Sequence, residues 1–510
     1  MATIKNPVIL DKTGSKINDT LTRIALGVER LSVDTNDFLY DSAAGEYTNI
    51  EEVFKHNADG KTYSVNIPKD RATACVKTDS NAGLTVTPST ATTAGKDDYN
   101  AINAFKCYLV NATVDENGVS HVNSIQGKDK RFRNDGSNGN VFVMTPVLYY
   151  SMADIDDDNT RLSISDTEAQ SLKPQPGAML PDGSMRGFML YAAYAGVKDD
   201  DGKFASISGR PIWNANISHN TLHTIAMPTG CSGKTIADDW YVKVMMLMKY
   251  ATKSSQTIFA GCTSYNEMVN ITVAETAATR VIVSATDATN FFVNSYVYVN
   301  SERKGSMYKI LSFDTYDESN VAINIDGTVT TTTELKCITA PYGSGYCDSV
   351  LGTDGTVNSP SGKEPFKIQN IECSVGVYEV LADVILEGSP DQKAYVCYDK
   401  ENYSTSITSN YMHVGTYSGT ENTWNYPLYI TDANGLLLPQ GTGGSSSTGT
   451  GDGYYLPSAS PSLFEWLGVG SLDGGSLAGL FCVYGNPGLS WAAWAIGSRL
   501  SALGRSGVSA

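Results

Sequence analysis

The stretch "GLFCVYGNPGLSWAAWAIGSRLSALG", residues 479–504, stands almost at the end of a chain of 510 residues. Trp491 and Trp494 sit three apart among alanines, where most proteins carry a disposable tail. An aromatic pair at this point reads as the working end of the molecule, a binding surface built on a rigid scaffold. The competing reading is an amphipathic helix or a buried strand that closes the core.

Working outward, the bulk properties narrow the class. The length predicts about two to four folding units. A hydrophobic fraction of 41% is enough for a sizeable core, so general disorder is not expected. The net charge of -17 argues against nucleic acid, because phosphate binding draws on clustered Lys and Arg. "KDKRFR" (128–133) is short and isolated. No run approaches roughly 18 consecutive apolar residues, so no membrane insertion is expected. The start, "MATIKNPVILDKTG", does not read as a signal peptide, and synthesis and folding in a cytoplasm are expected. The nine cysteines contain no C-x-x-C pair and read as scattered buried thiols.

Along the chain, "SKINDTLTRIALGVERL" (15–31) places Ile17, Leu21, Ile24, Val28 and Leu31 at alternating steps of four and three. That is an a/d seam, which serves either as a short oligomerisation helix or as a helix packed on its own domain. The expected organisation is an attachment helix over 1–36, a β-rich domain over 37–138 and a larger domain over 139–510. "GKDKRFRNDGSNGN" (127–140) marks the boundary between the last two. "DDWYVKVMMLMKYAT" (238–252) carries Trp240, Val244, Leu247 and Met248 at helical spacing, and "NANISHNTLHTIAM" (214–227) is a weaker helical candidate. About 266–340 reads as an inserted β module. "QGTGGSSSTGTGDG" (440–453) has the composition of a flexible Gly/Ser segment and reads as a long loop inside one domain.

The local chemistry points away from catalysis. "GCSGKT" (230–235) has Pro228 where a phosphate-binding loop needs Gly, and proline also removes a backbone N–H. His219 and His223 are spaced i, i+4, without the acidic residue or third ligand of a zinc site. "DIDDDNT" (154–160) and "VKDDDGK" (197–203) do not fit the EF-hand loop and read as solvated turns. Other calcium loops leave no readable spacing, so calcium stays open; no cofactor and no metal are predicted. No G-x-S-x-G elbow and no nucleophile–base pairing stand out, so no enzyme is predicted.

A series of segments carries a resemblance. "VFVMTPVLYYSM" (141–152), "RGFMLYAAYAG" (186–196), "SISGRPIW" (206–213), the 238–262 helix region, "PFKIQNIECSVGVYEVLADVIL" (365–386) and the 479–504 stretch together resemble a group of phage tail proteins. These are similar to the C-type-lectin-like fold in its formylglycine-generating-enzyme variant. "GVYEV" (376–380) stands where that variant commonly has G-N-V-W-E-W, and "IGSR" (496–499) where it commonly ends in I-G-F-R. The resemblance covers most of 141–510 and rests on the order of the segments. It implies an α+β class: a C-type-lectin-like domain with an inserted small β domain, preceded by a short helix and a β-rich domain. The oxidase activity is not carried over, because that enzyme uses a cysteine pair near its C-terminus and only Cys482 lies in the last hundred residues.

In several such phage proteins the last segment is the variable region of a diversity-generating retroelement, which mutates template adenines. Templates often read as Asn codons in a frame resembling S-N-x-N-W-N-I-G-x-R. Here the frame runs from Ser490 to Arg499. Tyr484, Pro487, Ala493 and Ala495 fit as products of a mutated AAC codon, and Asn486 fits as an unchanged one. Trp491 departs from the pattern, because its codon ends in G. The resemblance thus implies a receptor-binding set of Tyr484, Asn486, Pro487, Ser490, Trp491, Ala492, Ala493 and Ala495. Its scaffold would be Trp494, Ile496, Gly497 and Arg499, with Tyr484 and Trp491 as exposed anchors.

The expected protein is therefore a tail-fibre or tail-tip adhesin located in the virion tail. Its partners would be a bacterial surface receptor, glycan or protein, and other tail proteins, with a homotrimer as the expected assembly. The alternatives are a tail-associated polysaccharide depolymerase, which needs paired carboxylates in a groove, and a purely structural virion protein.

Overall fold

The computed structural model describes residues 37–70, 74–115, 118–180, 183–358, 361–388, 392–445, 450–460 and 462–502. The seam residues Ile17, Leu21, Ile24, Val28 and Leu31 lie outside them. Strand makes up 37% and helix 12%, so the chain is β-rich with a minority of helix. Among the described residues no helix is long and apolar enough to cross a membrane.

The boundary expected at 138/139 does not separate two cores. One sheet runs in the order Ser232–Gly233, Leu500–Ser501, Met189–Ala192, Asn140–Thr145, Tyr108–Val114, Ser120–Ile125. A second joins Tyr63–Pro68 to Asn159–Ser165 in antiparallel register, Val65 opposite Leu162. "GKDKRFRNDGSNGN" is therefore the connection between two strands that flank Tyr108–Val114 in one sheet. Its Gly, Asn and Asp mark turns, and turn chemistry is the same inside a domain as between domains. Tyr63, Val65, Tyr99 and Phe105 share one core with Trp240, Met245 and Phe366.

Two helices position the rest. Helix α1, His219–Ala226, is the weaker candidate segment trimmed at its start by the Ser218 cap, whose hydroxyl faces Thr221 N–H. Helix α2, Ile236–Tyr250, starts where Asp238 Oδ2 accepts the Thr235 N–H at 2.9 Å and Asp383 Oδ2 accepts the Ile236 N–H at 2.9 Å. Carboxylates at a helix N-terminus satisfy its free N–H groups and suit its dipole. The apolar stripe read from the sequence understates this helix, since every residue from Ile236 to Lys249 is buried. Such a helix belongs to the centre of a core. It packs against Tyr63–Pro68, Phe366–Ile368, Tyr378–Glu387 and Leu436–Gln440. Its lysines are tolerated because they are paired: Lys243 with Asp239 at 2.5 Å, Lys249 with Asp354 at 2.8 Å.

Tyr378–Glu387, buried on both faces, is the spine of the largest sheet. It pairs antiparallel with Lys393–Val396 and Leu463–Gly468, and its start pairs in parallel with Ile496–Gly497. Leu463–Gly468 leads on to Val483–Tyr484, then Tyr454–Leu456, then Thr423–Asn425. The β-patterned stretch between Met268 and Ala340 closes into a six-stranded barrel with its own core of Val281, Val297, Ile310, Ile323 and Cys337.

The segment expected to be a flexible loop, 440–453, ends in buried structure. Asp452 is fully buried and accepts from Ser255 Oγ at 2.8 Å and from Phe481 N–H at 2.9 Å. Gly451 is required here, because a Cβ would lie 2.1 Å from Ser254 Oγ. Its composition thus reflects close backbone approach as well as loop character. All nine thiols are free, and all but the half-buried Cys107 are buried.

Candidate functional site

Between Val483–Tyr484 and Ile496–Gly497 the chain forms a loop whose backbone is tied at each turn. Pro487 O accepts Glu465 N–H at 2.9 Å, Leu489 O accepts Asn220 N–H at 3.0 Å, and Ala495 O accepts Tyr378 N–H at 2.8 Å. Trp494 O accepts from Asn214 Nδ2 at 2.6 Å. Inside the loop, Trp491 N–H closes a turn on Gly488 O at 2.8 Å. The exposed residues of the loop are Gly488 and the crest, Ser490 to Ala492. Such anchoring lets crest side chains change without moving the backbone, because the hydrogen bonds use main-chain atoms.

Tyr484 is the hub of an aromatic cluster. Its ring lies 5.5 Å from Trp424 at an interplanar angle of 24°, a stacked pair. Tyr455 meets it edge-on at 5.3 Å, Trp491 edge-on at 6.2 Å, and Tyr378 at 5.6 Å. Offset-stacked and edge-to-face pairs at these distances hold one another in place. Trp491, 41% exposed, carries the cluster out to solvent. Tyr378, Trp424 and Tyr455 were not singled out in the sequence. They come from three distant segments, and only strand pairing collects them.

The expected variable set divides. Tyr484, Asn486 and Ala493 are half-buried, and Ser490, Trp491 and Ala492 are exposed. Pro487 and Ala495 are buried and correct the expectation. Ala495, at 7% exposure, packs in the core with Ile496 and Leu500. Pro487 sits beside Leu463–Gly468, held through its carbonyl.

The expected scaffold residues form the loop's base. Ile496 and Gly497 lie opposite Tyr378 and Glu379 in the parallel pairing. A Cβ on Gly497 would come 2.9 Å from Val377 Cγ2. Trp494 is half-buried, and the Arg303 guanidinium from the barrel lies 4.6 Å from its ring centroid, a cation–π contact. Arg499 is buried, with Nε 3.2 Å from Glu379 Oε1 and Nη2 donating to Glu372 O at 2.9 Å. Lys234 Nζ reaches Glu379 at 2.9 Å and Asp239 at 2.9 Å. Burial alone would raise the Glu379 carboxyl, but Arg499 and Lys234 outweigh it and hold it down at about 2. Lys234, the lysine of "GCSGKT", is thus spent on a buried ion-pair network.

Among the described residues no group of three His, Cys, Asp or Glu is placed to hold a metal. Asp156 caps its own turn by accepting Asp158 N–H at 2.9 Å, and Asp199 does so with Lys203 N–H at 2.7 Å. His219 and His223 share helix α1, but burial pushes the His219 imidazole down to about 4. The His219 main-chain N–H donates to Glu465 Oε2 at 2.8 Å, and burial raises that carboxyl to about 8. Comparison with known proteins finds no family model and no curated protein that matches the chain.

Proposed function

We propose that the chain is a phage tail-fibre or tail-tip receptor-binding protein. Its C-terminal part would be a C-type-lectin-like domain of the formylglycine-generating-enzyme variant, and its loop 484–495 would be presented to a bacterial surface molecule. The supporting observation is the exposed Trp491 joined to the Tyr484 cluster, on a loop whose backbone is fixed independently of its crest side chains. Rigid aromatics of this kind dominate binding energy at interfaces. In this reading the protein sits in the virion tail, and the 15–31 seam brings copies together, a homotrimer being the expected number. Several loops per fibre would raise a weak single-site affinity through effective concentration.

The reading is tested by sequencing the 3′ end of the gene across a population of the source phage or prophage. Differences should concentrate at codons 484, 486 and 490–493, and should spare 487 and 494–499. Uniform codons, or changes spread evenly along the gene, would remove the case for a diversified receptor-binding loop. A fixed structural interface would then explain the segment better.

A further inference from the structure

A cavity of about 560 Å³ opens beside the 347–353 segment and shares no residue with the aromatic loop. Its size falls in the range of small-molecule sites. On its floor lies Lys367, only 9% exposed, which donates one hydrogen bond, to Val350 O at 2.9 Å. Among the described residues no carboxylate comes within ion-pairing distance of its ammonium. Buried lysines 234, 243 and 249 have acidic partners, and buried Lys253 donates to two main-chain carbonyls, Pro68 O at 2.9 Å and Asp70 O at 2.6 Å. A buried ammonium with spare donors is costly unless something accepts from it.

The same cavity is lined by two acids. Asp348 accepts from Tyr194 Oη at 2.6 Å, Asn134 Nδ2 at 2.8 Å and Ser208 Oγ at 2.7 Å. Glu372 accepts the Gly345 and Cys347 N–H groups at 2.9 and 2.8 Å. The rim is partly apolar, with Phe132 and Leu351, the latter 58% exposed.

These groups select a ligand by charge balance. An anion on Lys367 would face Asp348, and a cation on Asp348 would face Lys367. A neutral ligand with several hydroxyls meets both, since each hydroxyl accepts on one side and donates on the other. The C–H faces of such a ligand would rest on Phe132 and Leu351. We infer that this cavity is a second binding site, for a neutral sugar ring held between Lys367 and Asp348.

Ligand-observed NMR on the full-length protein tests it, with free glucose, galactose and N-acetylglucosamine and their methyl glycosides as probes. At least one probe should show saturation transfer. A response to the free sugar alone assigns a monosaccharide, and a response to the glycoside assigns the end of a chain. Lys367→Met should weaken the response roughly tenfold, the cost of losing one buried donor. Asp348→Asn, at the exposed rim, gives a second reading where Lys367→Met does not fold. Lys304→Met, an exposed barrel position outside the cavity, should leave the response unchanged. The inference is overturned by silence from every probe, or by transfer that survives both cavity variants. Displacement by inorganic phosphate would overturn it too.

Discussion

Arg499 and Glu379, 120 residues apart in the chain, meet in a buried pair with Arg499 Nε 3.2 Å from Glu379 Oε1. The parallel pairing of Ile496–Gly497 with the start of Tyr378–Glu387 brings them together. The pair thus clamps the base of the aromatic loop to the spine of the largest sheet. Lys234 occupies the other side of Glu379, so the base is locked by charge from two directions.

Arg499→Met should destabilise the fold by about 3–5 kcal/mol, because it leaves a carboxylate buried with half its compensation. The double variant Glu379→Gln with Arg499→Met should recover much of that loss. Urea unfolding of the three proteins measures it. A single variant within about 1 kcal/mol of wild type would show that the pair does not clamp the loop.

Trp491→Ala should weaken binding to host cells by at least about 2 kcal/mol, roughly thirtyfold, while changing stability little. The separation follows from a ring that is 41% exposed and anchored on one edge only. Labelled protein on cells of the source bacterium, together with a thermal melt, checks both halves. Unchanged cell binding would count against the adhesin reading.

Alanines of the same loop should differ in tolerance. Ala492→Tyr, at the solvent-facing crest, should stay within about 0.5 kcal/mol of wild type. Ala495→Tyr forces a ring into the core beside Ile496 and Leu500 and should cost about 3 kcal/mol or more. Thermal or denaturant melts of the two variants decide it, and equal costs would contradict the burial of Ala495.

Stability should fall as pH rises from mildly acidic to mildly basic. Burial raises the folded-state carboxyls of Glu372 and Asp452 to about 7 and of Glu465 to about 8. Each keeps its proton in the fold after the unfolded chain has released it. The native state then binds more protons, and the stability present below the ordinary carboxylate range is lost as pH climbs through these values. Glu465→Gln should flatten the slope of melting temperature between about pH 5 and about pH 8. A slope identical to wild type would mean that Glu465 titrates normally in the fold.

The sequence by itself determined what local chemistry controls. The 3.6-residue spacing of Trp240, Val244, Leu247 and Met248 predicts helix α2, because a helix buries residues on that period. The alternating runs between 266 and 340 predict strands for the equivalent reason. Trp491 also stood out unaided as an aromatic at a terminal loop. Tertiary structure alone decided the partners. Nothing local to "KTYSVNI" (61–67), which contains most of the Tyr63–Pro68 strand, says that this strand pairs with 159–165 across the expected boundary, because a strand's hydrogen-bonding edge is the same whichever strand meets it. Trp424, Tyr455 and Tyr378 carry no mark of gathering on Tyr484, since that depends on the order of strands in the sheet. Ala492 and Ala495 are the same residue with the same local preference. One is exposed and one buried only because the Tyr378 N–H captures the Ala495 carbonyl and turns that end of the loop into the core.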